Sequence, residues 1–171
     1  ALDLGARGVI VPMVNTADQA AWVVANVRFP PVGERSWSIF GAAERPADTN
    51  DDLLALVMSE TVQSVDAIDD ILAVPGLDGV VFGAADMALS MGLPPRAGAD
   101  EPAVWAAFET VGNACRRLGK HLGAMVGTEE MAARMVRAGA DFVTFSADLW
   151  HVERGVAADV AAMERLRATP A

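Results

Sequence analysis

Lysine is almost absent from this sequence of 171 residues, which contains a single one, Lys120. Lys120 stands just before a predicted strand, in the segment 119–121. It therefore belongs to the opposite end of the sheet from the strand ends where α/β proteins carry out chemistry. Since a Schiff-base mechanism needs a desolvated lysine in the site, this chain offers no residue for imine chemistry.

Cysteine is equally scarce, and Cys115 alone cannot form an internal disulfide. One cysteine fits a reducing compartment. No apolar run approaches the ~20 residues that a membrane helix needs, so we predict a cytoplasmic protein that does not use a membrane. The net charge of −10 argues against nucleic acid as a partner. A small anionic substrate remains compatible, because a bound metal inverts the local field.

Two common kinds of site are missing from the sequence, namely a glycine-rich phosphate motif and a Cys/His cluster for zinc. His121 stands beside the lone lysine and is interpreted as structural or exposed. His151 follows the last predicted strand, and a functional role for it stays the less favoured alternative. Cys115 is interpreted as buried or inert, while Met131 and Met135 have the spacing of core residues on a helix.

A glycine shortly before a β-branched run recurs three times, at residues 5–11, 76–81 and 139–143. Each first glycine is suited to end a helix before a buried strand begins. Repeated helix-to-strand connections are typical of a parallel sheet in an α/β fold. Five nearly continuous apolar runs are predicted as strands covered on both faces, at about 8–13, 53–58, 79–83, 121–126 and 141–146.

Helices are predicted in the gaps, at about 16–27, 62–73, 102–118, after Thr128, and at 156–167. The length indicates a single domain over residues 1–171. Residues 1–6 have the pattern of a last helical turn that ends at Gly5, so we expect an N-terminal part of the protein to be missing. A barrel usually has eight strands, so three more β/α units would precede Ala1 if this sheet belongs to one.

Glu60 and Asp86 each follow one of two apolar runs, 53–58 and 79–82. If these runs are adjacent parallel strands, both carboxylates project from the same end of the sheet and can hold a hard divalent cation. The small residues 83–85 let a ligand approach the backbone, and a helix starting near Asp86 could bind a carboxylate through its free N–H groups. A 2-oxo acid could then chelate the metal. The alternative is two unrelated exposed acids.

Residues 28–52 form a long, turn-rich connection after the first predicted strand. Loops of this length within a compact domain are usually functional. We therefore expect this segment either to cover the end of the sheet at which the two acids emerge, or to be a solvated connection.

Three stretches of the sequence resemble the HpcH/HpaI aldolases, a family of class II, metal-dependent pyruvate aldolases that includes 4-hydroxy-2-oxoheptanedioate aldolase-like proteins. The first is residues 1–17, with Val-Ile-Val-Pro-Met-Val-Asn-Thr-Ala from Val9 onward. The second is Arg-Phe-Pro-Pro-Val-Gly-Glu-Arg-Ser at 28–36, and the third is Gly-Val-Val-Phe-Gly-Ala-Ala-Asp-Met at 79–87. The similarity extends over essentially the whole chain, with the stretches in the family's order.

The resemblance implies a (β/α)8 TIM barrel of the phosphoenolpyruvate/pyruvate type, of which this chain carries about the last five β/α units and the C-terminal helix. It implies Glu60 and Asp86 as ligands of Mg²⁺ or Mn²⁺, with Co²⁺ a further option, and the backbone at Ala85 and Asp86 as the receptor for the pyruvate carboxylate. The family's histidine base and arginine would lie upstream of Ala1. Met58 stands where the family often has glutamine, which removes a polar group near the metal.

The function implied by the resemblance is a carbon–carbon lyase of aromatic or sugar acid catabolism. It would cleave or form 4-hydroxy-2-oxo acids through a pyruvate enolate and an aldehyde, and would assemble as a homo-oligomer, a hexamer built from dimers. One alternative is a lyase like citrate lyase β or malyl-CoA lyase, acting on acyl-CoA. The other is a non-catalytic α/β module that binds a ligand.

Overall fold

A computed structural model describes residues 1–39, 49–95 and 98–168 of the chain. Its centre is one five-stranded sheet. The strands are β1 (Gly8–Val11), β2 (Leu54–Ser59), β3 (Gly79–Phe82), β4 (His121–Val126) and β5 (Phe142–Phe145). The five predicted strands are therefore confirmed, with ends shifted by one or two residues.

The strands lie side by side in sequence order, and every neighbouring pair is parallel. Within the central pair, Ser59 at the end of β2 is in register with Phe82 at the end of β3. Each strand reaches the next through helical segments, as in repeated β/α units. The result is a curled half-barrel of the TIM-barrel type, and the predicted fold class is confirmed.

Seven α-helices are described: α1 (Ala17–Val27), α2 (Val62–Asp66), α3 (Ile68–Leu72), α4 (Ala84–Ser90), α5 (Pro102–Leu118), α6 (Glu129–Arg137) and α7 (Asp148–Ala168). Three short 3₁₀ turns cover Leu2–Leu4, Asn50–Asp52 and Gly98–Asp100. Threonine side chains cap α1, α2 and α6 by accepting a backbone N–H bond. In the described part of the chain, no helix is both long enough and apolar enough to span a membrane.

The hydrophobic core lies between the outer face of the sheet and the helices. Phe82 of β3 meets Phe108 of α5 edge to face, with ring centroids 5.5 Å apart. The alternate strand residues point to the inner face, where Val81 is fully buried but Ile10 and Met125 are 41% and 53% exposed. Of the five strands, only β3 is buried along its whole length, so the expectation of two covered faces is met at the centre of the sheet.

Two predicted helices differ from the structure. The helix expected at 62–73 is divided at Ala67 into α2 and α3. The last helix begins at Asp148, eight positions before the predicted start.

The prediction that the connection 28–52 covers the acidic end of the sheet is wrong for its described parts, 28–39 and 49–52. Arg28 donates hydrogen bonds to the carbonyls of Leu53 and Gly76, which precede β2 and β3. Asn50 is joined to the backbone of Phe29. This connection follows α1, and α1 runs antiparallel to the strands, so it returns the chain to the opposite end of the sheet. Residues 40–48 lie outside the described part.

Candidate metal centre

Glu60 is the first residue after β2, and it is buried, with 3% of its surface exposed. Its Oε1 accepts a hydrogen bond of 2.7 Å from the backbone N–H of Met13, in the loop that follows β1. The second oxygen, Oε2, lies against Gly83 at the end of β3. Glu60 is thus held between the ends of its two neighbouring strands.

Asp86 lies in the first turn of α4, three residues after the N-cap Gly83, and is exposed. Because β2 and β3 are adjacent and parallel, Glu60 and Asp86 emerge at the same edge of the sheet. The prediction that adjacent parallel strands bring both acids to one edge of the sheet agrees with this topology. Their role as metal ligands stays a prediction.

Burial and a neighbouring negative charge both disfavour the ionised form of Glu60. Burial raises the pKa of Glu60, and the negative charge of Asp86 raises it further, whereas the Met13 N–H bond acts in the opposite direction. A buried carboxylate that is repelled by a second one is stabilised by a shared cation. The donor set therefore fits a divalent ion that prefers oxygen ligands.

Among residues 1–39, 49–95 and 98–168, no three His, Cys, Asp or Glu side chains converge on a point that could hold a metal. Glu60 and Asp86 would therefore be the protein's contribution. The other positions of an octahedral ion such as Mg²⁺ would remain for water and for a small chelating ligand.

Gly83 is required by the position of Glu60. A Cβ atom added at Gly83 would lie 2.7 Å from Glu60 Oε2, 2.9 Å from Glu60 Cβ and 3.1 Å from Met58 Cε. Two of these distances are shorter than carbon and oxygen atoms tolerate without a shift of the neighbour. The glycine thus leaves the space that the carboxylate occupies.

Gly83→Ala is therefore expected to displace the Glu60 carboxylate and to weaken Mn²⁺ binding about 10-fold or more. The same crowding should lower the free energy of unfolding by about 1–3 kcal/mol. Titration calorimetry and urea unfolding measure the two effects. The matched control is Gly155→Ala in α7, where an added Cβ meets no atom within 4 Å. Unchanged Mn²⁺ affinity in Gly83→Ala would contradict the proposed packing.

A cavity of about 440 Å³ opens beside Asp86 at the carboxyl ends of β3, β4 and β5. Asp86, Asp100, Thr128, Thr144 and Ser146 contribute polar groups to its lining. Its apolar lining includes Met58, Met125, Met131 and Trp150. An opening with both kinds of group next to the acid pair has the character of a site for a small organic ligand.

Sequence reasoning missed most of this cavity. Met131 was predicted to be a core residue, but it is partly buried and lines the opening, whereas Met135 is fully buried as expected. Trp150 reaches the cavity because α7 starts before it rather than after it. Position in the sequence was an available signal, since Ser146 directly follows β5 and Thr128 comes two residues after the end of β4.

The remaining sequence candidates lie away from the acid pair. Lys120 donates a hydrogen bond to the carbonyl of Leu77, and His121 starts β4, so both lie at the opposite end of the sheet, as predicted. His151 is exposed on α7 and contacts Arg154. Burial raises the pKa of the Cys115 thiol to about 12, which keeps it protonated and inert.

Parallel strands in sequence order, with polar groups gathered at their carboxyl ends, match the position of the active site in TIM-barrel proteins. A profile of the HpcH/HpaI aldolase/citrate lyase family matches residues 1–154. The 2-keto-3-deoxy-L-rhamnonate aldolase of Escherichia coli O1:K1 / APEC is 39% identical over 155 residues, which are 86% of this chain and 57% of that enzyme. This chain belongs to the HpcH/HpaI aldolase/citrate lyase family.

Two solved structures also resemble this chain in fold and in sequence. The HpcH/HpaI aldolase from Desulfitobacterium hafniense DCB-2 matches with a TM-score of 0.86 at 28% identity, over 99% of this chain and 67% of that one. Citrate synthase SbnG matches with a TM-score of 0.83 at 30% identity, over 98% and 67% of the two chains. The chain spans 57% of the length of the curated relatives it matches.

Proposed function

We propose that this chain supplies the metal-binding part of a divalent-metal aldolase, a carbon–carbon lyase. The reaction would cleave or form a 4-hydroxy-2-oxo acid through a pyruvate enolate and an aldehyde. The observation that carries this proposal is the buried Glu60 carboxylate, whose pKa is raised by burial and by Asp86 at the same edge of the sheet. Residues 1–171 would act as one domain, the C-terminal portion of the barrel.

Each acid has a defined task in this proposal. Glu60 and Asp86 would hold the cation as ligands and would not act as bases. When bound there, Mg²⁺, Mn²⁺ or Co²⁺ supplies Lewis-acid stabilisation of charge that develops on a ketone oxygen. Glu60 Oε1 remains engaged with the Met13 N–H, which fixes the orientation of the carboxylate plane.

The first turn of α4 supports the placement of the substrate carboxylate. The N-cap of α4 is Gly83, and no side chain in the described part of the molecule caps this helix. The first intrahelical bond is donated by Met87, so the N–H groups of Ala85 and Asp86 have no partner within the helix. We propose that these two N–H groups receive the carboxylate of a pyruvate-like 2-oxo acid.

The cavity supports an aldehyde partner of modest size. Its lining mixes hydroxyl groups, at Thr128 and Thr144, with the apolar side chains of Met125 and Trp150. Such a lining suits an aldehyde that carries both carbon chain and hydroxyl groups. The similarity to a 2-keto-3-deoxy-L-rhamnonate aldolase supports a 2-oxo sugar acid as the compound to be cleaved.

Aldol turnover by the full-length protein tests the proposal. Pyruvate and an aldehyde are supplied with Mg²⁺, Mn²⁺ or Co²⁺, and the 4-hydroxy-2-oxo acid is measured. We expect turnover that is lost on exhaustive chelation and restored by the metal. Turnover that survives chelation would contradict the metal role. Cleavage of a CoA thioester instead would favour the acyl-CoA lyase alternative, and no metal-dependent binding of pyruvate or oxalate would favour a non-catalytic module.

We also propose that the protein is a homo-oligomer built from dimers, such as a hexamer. Helix α7 has no buried residue from Asp148 to Ala168. Its large apolar side chains recur every three or four positions and are 53–70% exposed at Leu149, Val152, Val156, Val160, Met163 and Leu166. An apolar stripe of this kind on a helix favours burial against another helix. Sedimentation velocity of the full-length protein measures the assembly.

A further inference from the structure

The loop at residues 12–16 contains an uncommon backbone conformation next to Glu60. Met13 has φ 58°, in the left-handed region that non-glycine residues seldom adopt. This conformation directs its N–H to Glu60 Oε1 at 2.7 Å. A residue held in such a conformation persists only when its surroundings impose it, and such residues concentrate at functional sites.

The Asn15 side chain is bonded to Met13 in this conformation. Its Nδ2 donates a hydrogen bond of 3.2 Å to the carbonyl of Met13. Its Oδ1 accepts a bond from the hydroxyl of Thr61, the residue that follows Glu60. The backbone N–H of Asn15 donates to Gln19 Oε1 at 2.7 Å, which ties the same residue to the first turn of α1. Asn15 thus bridges the loop after β1 and the loop after β2.

Thr61 is itself oriented so that its proton points toward Asn15. Its Oγ1 accepts the N–H of Ser64 at 3.0 Å in the cap of α2, so that the hydroxyl proton is free to be donated. Ser64 is fully buried and is further bonded to the carbonyl of Thr61. The orientation of the Thr61 hydroxyl is therefore set by the cap of α2, independently of Asn15.

We propose that Asn15 is a positioning residue for the metal ligand Glu60. By holding Met13 in the left-handed conformation, Asn15 presents the Met13 N–H to one oxygen of Glu60 and leaves the other oxygen beside Gly83, at the end of β3. The role needs an amide, because one end must donate to a carbonyl while the other accepts from a hydroxyl. This inference rests on the proposed metal site and adds the residue that sets its geometry.

Binding of Mn²⁺ to the full-length protein, followed by electron paramagnetic resonance without substrate, tests this role. We expect Asn15→Ala to weaken Mn²⁺ binding about 10-fold, as for other residues that orient a ligand. The matched control is Asn26→Ala, which removes an exposed amide-to-carbonyl bond within α1, far from Glu60. It should change the Mn²⁺ dissociation constant less than about twofold.

Two conservative variants separate positioning from loss of structure. Thr61→Ser keeps the hydroxyl that donates to Asn15, and Met13→Gly keeps the N–H while favouring a positive φ. Both should retain Mn²⁺ affinity within about twofold. If the unaltered protein binds Mn²⁺ and Asn15→Ala binds it equally well, the positioning role is wrong. If the unaltered protein does not bind Mn²⁺, the proposed metal site itself fails.

Discussion

Glu60→Gln in the full-length protein is expected to lower metal-dependent turnover by at least ~10³-fold, because it removes the charge of one of the two proposed protein ligands. The substitution keeps the size of the side chain and an oxygen that can accept the Met13 N–H. The change is therefore confined to the charge and to the atom at the position of Oε2, which lies beside Gly83. Mn²⁺ titration should show the loss directly, without any assay of catalysis.

The same variant should fold at least as well as the unaltered protein in the absence of metal. Burial gives Glu60 a folded-state pKa above its ordinary value, so the folded protein retains this proton to higher pH than the unfolded chain does. Stability without metal consequently falls as pH rises between the two pKa values. The neutral amide of glutamine escapes this cost, and the thermal unfolding midpoint at neutral pH should not decrease.

The control for this experiment is Glu109→Gln on the exposed side of α5, which removes the same charge away from the site. It should leave Mn²⁺ affinity and turnover unchanged within about twofold. Glu60→Gln with native Mn²⁺ affinity would remove Glu60 from the ligand set. A Glu60→Gln protein that fails to fold would contradict the expectation that the buried Glu60 carboxylate lowers stability in the absence of metal.

Of the substitutions proposed, Arg28→Met is expected to lower the free energy of unfolding most, by about 3–5 kcal/mol. The guanidinium is 7% exposed and pairs with the Asp78 carboxylate at 2.6 Å. It also donates to the carbonyls of Asn50, Leu53 and Gly76. Methionine fills a similar volume but leaves the carboxylate and three carbonyls without this donor, and unpaired buried polar groups are costly.

Urea unfolding measures this loss, and Arg7→Met is its matched control. Arg7 pairs with Asp52 at 3.7 Å, with both side chains more than two thirds exposed, at 77% and 67%. An exposed pair of this kind contributes less than about 1 kcal/mol. Equal losses in the two variants would contradict the distinction between buried and exposed pairs. Because Arg28 lies at the opposite end of the sheet, folded Arg28→Met should keep its Mn²⁺ affinity.

The strands were predictable because apolar runs bounded by glycines are a local signal. β4 was predicted at 121–126 and occurs at His121–Val126, and β3 differs by one residue at its end. A parallel order then places Glu60 and Asp86 at one edge, because every parallel strand ends on the same side. The local pattern and the parallel strand order were therefore sufficient to predict that Glu60 and Asp86 lie at the same edge.

The connection at 28–52 was misplaced because its composition carries no information about direction. Turn-rich sequence indicates a loop but not which edge of the sheet the loop occupies. The buried ion pair between Arg28 and Asp78 decides this, and it joins residues fifty positions apart. Asn15 was missed for the same reason, since its partner Thr61 is distant in sequence and its amide has no distinctive local pattern.

The sequence by itself determined the parallel α/β class, the five strands and the two acids, since these follow from periodicity and from the order of elements along the chain. Only the tertiary structure decided that Glu60 is buried against Gly83, that Met13 and Asn15 orient it, and that Trp150 reaches the cavity. Those features depend on contacts between segments far apart in sequence. Such contacts exist only after the sheet has curled and the helices have packed on it.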